Sequence, residues 1–304
     1  MIMGLALYED RHPNDTAQTR FDSLVGLDSH KRQLLDELTL LLDPARLVAW
    51  RKKHHRKGLP LVDEQGAAAP LILLSGEVGC GKTALALSVG TPLARRLDAR
   101  VVTLETPSDI RGSGRVGELS ARVTEAFSQA KQITKEVGRG ILIIDEADDL
   151  ATSRSQMQAH HEDRAGLNVL IKQIGSLGRD GARLAVIMIT NRVTVLDPAV
   201  VRRAALQLRF VRPDGPGRSL LFHRLLQGTG AKEKEISELA ERSERNGGVP
   251  YSYSDLTERV AKLALREAFT ADEPLQASHF LRALQEVTPS PLIDGTLPPG
   301  VQQQ

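Results

Sequence analysis

The sequence predicts an α/β fold: a five-stranded parallel sheet sandwiched by helices, followed by a small all-helical region. Three observations lead there. Apolar runs at Leu71–Ser75, Arg100–Glu105, Ile141–Asp145, Leu184–Thr190 and Leu206–Phe210 alternate with helical stretches, and unbroken apolar runs suit strands buried on both faces. A glycine-rich turn joins the first run directly to a helix. Beyond Pro213-Asp-Gly-Pro-Gly217 strand patterning stops and only helical periodicity continues.

Taken in order, residues 1–20 show no clear periodicity and read as a flexible arm. Asp28 to Leu42 carries leucines at 34, 35, 38, 41 and 42, an apolar helical stripe that starts after candidate caps Asp28 or Ser29. The run Arg51-Lys-Lys-His-His-Arg-Lys57 reads as a solvated helix end. Helices are expected between the strands at Lys82–Leu97, Gly117–Glu136, Asp163–Leu177 and Pro198–Arg203. Four more are expected after residue 213, at Arg218–Gln227, Lys232–Arg245, Ser254–Phe269 and Gln276–Val287. The Pro-rich stretch from Thr288, ending in three glutamines, is expected to be disordered. The implied division is an arm (1–20), a large α/β domain (21–212), a helical domain (213–287) and a tail (288–304).

With 304 residues and a net charge of +2, the chain can bury a sizeable core, and it has no global field for nucleic acid or an anionic membrane. Its single cysteine, Cys80, cannot form an internal disulfide, in keeping with a reducing compartment. No apolar run approaches the ~20 residues of a membrane span, and the N-terminus lacks the pattern of a signal peptide. A cytoplasmic protein is expected, with membrane and nucleic-acid partners disfavoured.

The chemistry concentrates at Leu71-Ile-Leu-Leu-Ser-Gly-Glu-Val-Gly-Cys-Gly-Lys-Thr83, a strand running into Gly76-x-x-x-x-Gly81-Lys82-Thr83 and then a helix. This is the P-loop pattern. Glycines 76, 79 and 81 let backbone amides, that of Cys80 among them, turn inward around phosphates. Lys82 reaches the β- and γ-phosphates, Thr83 can ligate Mg²⁺, and the helix presents its positive end. A nucleoside triphosphate and Mg²⁺ are the expected cofactors. The apolar strand before Asp145-Glu146 delivers two carboxylates to the sheet edge where α/β ligands bind. Asp145 is placed to hold Mg²⁺ through its water shell, and Glu146 to polarise the attacking water. Asp148 and Asp149 read as helix-start residues. Asn191 ends the next strand and either orients water or simply forms a turn. Arg202 and Arg203 close a short helix, where they cap carbonyls or reach a neighbouring subunit's γ-phosphate.

In this order the motifs resemble the AAA+ ATPases from Phe21 to Val287. The resemblance places Val25 and Gly26 in the adenine pocket. It also assigns Gly76–Thr83 to Walker A, Asp145-Glu146 to Walker B, Asn191 to sensor 1, Arg202 and Arg203 to the arginine fingers, and Tyr251–Leu256 to the start of a C-terminal lid. Asp145–Arg154, His161–Ile174 and Thr190–Ala204 look like the pachytene-checkpoint ATPases, a narrower likeness. That family implies a hexameric ring that remodels HORMA-domain proteins. Short bacterial relatives sit beside cyclic-nucleotide antiphage operons, where they are implied to switch off a HORMA-activated nucleotidyltransferase. Three departures are visible. About twenty residues precede the module, leaving no room for the family's N-terminal adaptor domain. The pore-loop position carries Arg115 and Val116 without an aromatic, and the sensor 2 position reads Ser254, with Arg259 one turn on. Two other readings share the core: a DNA-directed ATPase of the clamp-loader or transposition-helper type, and a metabolic-enzyme activase.

Overall fold

The structure, a computed structural model, describes residues 5–65, 69–110, 112, 117–151, 161–244 and 248–292. The chain folds as two compact units. One holds Met1–Ser23, Ser29–Ser75 and Thr83–Arg209, and the other Leu24–Asp28, Gly76–Lys82 and Phe210–Gln304.

The first unit opens with β1 (Tyr8–His12), α1 (Asp15–Ser23), α2 (Asp28–Leu42), α3 (Pro44–His54) and α4 (Pro60–Gln65). Then come β2 (Leu71–Gly76), α5 (Lys82–Ser88), α6 (Gly90–Leu97), β3 (Val101–Glu105), α7 (Glu118–Val137) and β4 (Gly140–Ile144). It closes with α8 (His161–Arg179), β5 (Leu184–Thr190), α9 (Pro198–Val201) and β6 (Leu206–Phe210), whose last residue belongs to the second unit. Among the described residues the strands form one six-stranded sheet in the order β1-β3-β4-β5-β2-β6. The pairs β3–β4, β4–β5 and β2–β5 run parallel. Strands β2, β4 and β5 are buried along their whole length, as their unbroken apolar runs require. Leu73, Leu104, Leu142 and Ile144 share one core with Phe127 of α7 and Leu170 of α8.

Two expectations are corrected here. The first residues are not an arm throughout: β1 pairs antiparallel with β3, from Tyr8 opposite Glu105 to His12 opposite Val101, and α1 follows. Four of the five β1 residues are exposed, so the strand lacks apolar alternation, and its charged residues protect a sheet edge. The expected Lys82–Leu97 helix is two helices, α5 and α6. A Cβ at Gly90 would lie 2.2 Å from the His12 ring, so the start of α6 is shaped around a buried histidine. That ring has Nδ1 3.0 Å from Thr91 Oγ1 and Nε2 3.0 Å from Thr103 Oγ1.

The second unit contains α10 (Gly215–Leu225), α11 (Glu233–Arg242), a π-helical turn (Asp255–Val260), α12 (Ala261–Thr270) and α13 (Ala277–Glu286). Asp214 caps α10 by accepting from the Gly217 amide at 2.8 Å. Phe222 and Phe280 meet edge-on at 6.1 Å between centroids in the helical core. Fully buried Tyr251 sets its hydroxyl 2.8 and 2.6 Å from the carbonyl oxygens of Leu284 and Val287. Most of the expected tail, from residue 293 on, lies outside the described residues.

Candidate functional site

The phosphate-loop residues 76–82 belong to the second unit. Gly76 has φ +121°, and a Cβ there would lie 2.0 Å from the Phe210 carbonyl oxygen, so only glycine fits. The Glu77 amide donates to that same oxygen at 3.0 Å. Gly79 (φ +71°) is crowded by Ser252 and Ser254, each with an atom 2.8 Å from a would-be Cβ, and Gly81 has φ +91°. Three left-handed glycines thus shape a loop that L side chains could not follow. Lys82 is 5% exposed, and its Nζ donates to the carbonyls of Gly76 (2.8 Å) and Glu77 (2.6 Å).

Cys80 is buried. Burial pushes its thiol up to about 11, outweighing the lowering by Lys82 and Arg212, and Sγ donates to the Val78 carbonyl at 3.6 Å. Val25 packs on the helical core, and a Cβ at Gly26 (φ +72°) would lie 2.1 Å from the Tyr253 hydroxyl. Burial, then Asp214, raises that hydroxyl to about 12, so it stays protonated.

The carboxylate cluster lies in the first unit. Thr83 Oγ1 donates to Asp145 Oδ2 at 2.7 Å, and the Glu146 amide donates to Asp145 Oδ1 at 2.8 Å. A hydroxyl and a carboxylate in hydrogen-bond contact are hard oxygen donors of the kind Mg²⁺ takes, so the residues fit that ion. Glu146 is exposed and adopts φ 50°, ψ 44°, a left-handed conformation that costs a non-glycine residue about 1–2 kcal/mol. Such strain is found where a side chain must be aimed. A cleft of about 220 Å³ beside it is lined by Glu105, Thr106, Ser108, Asp145 and Glu146. Burial, then Asp145, raises the Glu105 carboxyl.

Asn191 is half-buried at the end of β5. Its neighbours are pinned by Asp148, which accepts from Thr190 Oγ1 at 2.9 Å and from Arg192 Nη2 at 3.1 Å. Asp148 thus does more than start a helix, and only the fold brings it to β5. Arg202 and Arg203 are both exposed after α9, but they differ: Arg203 Nη1 donates to the Ala199 carbonyl at 2.7 Å. Ser254 meets the loop through its backbone, its amide donating to the Gly79 carbonyl at 2.9 Å. Arg259 Nη1 is held by Asp255 Oδ1 (3.0 Å) and the Thr288 carbonyl (2.8 Å). Arg115 and Val116 lie outside the described residues. Sequence reasoning missed the buried Glu77–Arg212 pair, with Oε2 to Nη2 at 3.4 Å. An acidic residue inside a phosphate loop was its only signal.

A profile of the ATPase family associated with various cellular activities (AAA) matches residues 72–214. CD-NTase-associated protein 6 of Escherichia coli strain MS 115-1 is 37% identical over 94% of this chain and 95% of its own length. Among solved structures, a chain of the E. coli MS115-1 HORMA:CdnC:Trip13 complex superposes with TM-score 0.89 at 36% identity, covering 95% of this chain and 97% of its own. Rhizobiales Trip13 gives TM-score 0.73 at 33% identity over 93% and 98%. Caenorhabditis elegans PCH-2, at 19% identity and TM-score 0.64 over 91% and 73%, shares the fold.

Proposed function

This chain belongs to the AAA ATPase family, in the branch of CD-NTase-associated protein 6 and bacterial Trip13, and we propose that it hydrolyses ATP to open or disassemble a HORMA-domain protein. The observation that carries this reading is its full-length likeness to a chain of the HORMA:CdnC:Trip13 assembly. The client is then a HORMA protein, with a nucleotidyltransferase associated, and the ATPase acts as an off-switch in cyclic-nucleotide antiphage signalling. Among the described residues no helix is long and apolar enough to cross a membrane, which accords with work in the cytoplasm.

The loop amides of Gly79 to Thr83 and the Lys82 ammonium would hold the phosphates, exchanging the Gly76 and Glu77 carbonyls for phosphate oxygens at Nζ. Val25 and Gly26 would border the base. Thr83 and Asp145 would hold Mg²⁺, which neutralises charge on the β- and γ-phosphates when bound. Glu146 takes the proton of the attacking water while Asn191 orients that water. Arg202, with Arg203 beside it, reaches the neighbouring subunit's γ-phosphate in a hexameric ring. The helices of 213–287 serve as the lid, and Arg115 and Val116 line the channel where the client is gripped.

The test is phosphate release alongside conversion of a closed HORMA protein to its open form. Lys82→Ala should abolish ATP binding. Glu146→Gln should bind ATP, lower turnover by about 10²–10⁴-fold and hold the ring assembled. Turnover stimulated by duplex DNA, with the HORMA protein unchanged, would overturn the reading.

A further inference from the structure

Glu77 is an odd residue for a phosphate loop, because a carboxylate there repels the ligand's charge. Its side chain is 6% exposed, and Arg212, at 4%, is the partner that neutralises it. The residue is also held at two backbone atoms: its amide donates to the Phe210 carbonyl, and its carbonyl accepts from Lys82 Nζ at 2.6 Å. The Glu77 backbone is thus shared between the loop and the anchorage of Lys82, so a loop conformation that re-aims its carboxylate disturbs both.

Arg212 does not serve this pair alone. Nη1 donates to the Pro250 carbonyl at 2.5 Å, and Nη2, which faces Glu77, donates to the Pro291 carbonyl at 2.8 Å. Its Nε is buried with no hydrogen-bond partner among the described residues. Leaving that N–H bare carries a desolvation cost, so the guanidinium is oriented by what its two Nη atoms must reach. The segment Thr288–Pro291 is tied down independently. The Ser290 amide and hydroxyl donate to Asp255 at 3.1 and 2.7 Å. Burial raises that carboxyl, but the hydrogen bonds from Ser290 and Ser252 win and hold it down at about 2.

We propose that Arg212 is a positioning residue for ATP. By holding the Glu77 carboxylate it keeps the phosphate-loop amides in register, and through Pro291 it makes that register depend on the strap Thr288–Pro291. The inference rests on the ATP reading above. Without Arg212 the buried carboxylate loses that ion pair, a large penalty, which favours a loop conformation that carries Glu77 toward water. Neutralising Glu77 as well removes the reason to turn.

The experiment is steady-state ATP hydrolysis by the full-length protein, with KM and kcat separated. Arg212→Gln should raise KM about tenfold, the worth of one well-aligned charge-assisted contact, with kcat at saturation within about twofold. The double variant Glu77→Gln/Arg212→Gln should return KM to within about threefold of wild type, as expected of coupled neighbours. Ser290→Asp sets a carboxylate against Asp255, loosens the strap, and should raise KM in the same direction. A merely structural arginine would lower kcat with the active fraction and leave KM alone. If Arg212→Gln does not fold, Arg212→Lys, which keeps the charge and loses the fork, must raise KM. A wild-type KM in a folded Arg212 variant, or a double variant as weak as the single, overturns the role of the pair. A wild-type KM in Ser290→Asp overturns the strap. A wild-type protein that neither binds nor hydrolyses ATP sinks the functional reading itself, a separate outcome.

Discussion

Cys80 and the arginine pair after α9 show how burial and local hydrogen bonding decide what a side chain can do. The Cys80 thiol is desolvated, which raises it from 9.0 to about 11. Its thiolate fraction near neutral pH should fall about 100-fold below that of an ordinary cysteine, since each pKa unit is tenfold. Iodoacetamide should accordingly label native protein at least that much more slowly than free cysteine, and urea should restore normal reactivity. Fast labelling of the native chain would mean the loop opens readily. At the arginines, Arg203 satisfies the Ala199 carbonyl while Arg202 is exposed without that tie. Arg202→Ala should cost about 10³-fold or more in turnover, and Arg203→Ala much less, with helix stability lowered by under ~1 kcal/mol. Equal losses would refute the split. The P-loop residues themselves were legible because each is dictated by local chemistry. The distinction between Arg202 and Arg203 was not, because it depends on which carbonyl lies within reach.

At the scale of elements, the edge strand β1 depends on His12. The ring is 3% exposed between two threonine hydroxyls. Desolvation lowers its pKa, and Asp10, with Oδ2 3.8 Å from Nε2 and its side chain 58% exposed, pulls the other way more weakly. The sign follows from proton uptake. As pH falls below 6.5 the unfolded chain binds a proton before the folded one does, so stability is full above 6.5. It then declines as pH falls towards the folded value, by up to about 1.4 kcal/mol per pH unit. The urea midpoint should drop between pH 7.5 and pH 5.5, and the drop should shrink in His12→Gln. An unchanged pH dependence in that variant would remove His12 as the cause. Strands β2, β4 and β5 were readable from sequence because total burial enforces apolar runs. Strand β1 was not, because an edge strand shows water four of its five side chains and has no such pattern to display.

For the whole molecule, the arrangement of Arg202 predicts hydrolysis shared between subunits. Specific activity should rise with protein concentration through the assembly range. Subunits carrying Arg202→Ala and Arg203→Ala, inactive alone, should regain activity when mixed with Lys82→Ala subunits, because some interfaces then pair an intact arginine with an intact loop. Activity that stays flat down to a demonstrated monomer would rule out an arginine supplied in trans. The order of motifs alone pointed to a ring ATPase: the phosphate loop, Asp145-Glu146 and Asn191 each follow a strand, and α/β ligands bind at such strand ends.

Sequence by itself determined the strand runs and the phosphate-loop glycines, because burial on both faces and left-handed backbone leave few residue choices there, while Lys82, Asp145 and Glu146 were singled out by their spacing from those strands. Tertiary structure alone decided which distant groups meet. Thr103 and Thr91 enclose His12, Asp148 pins Thr190 and Arg192, and Arg212 joins Glu77 to Pro291 across 135 and 79 positions of chain. A buried charge must find its partner wherever folding brings one, and no local pattern records where that will be.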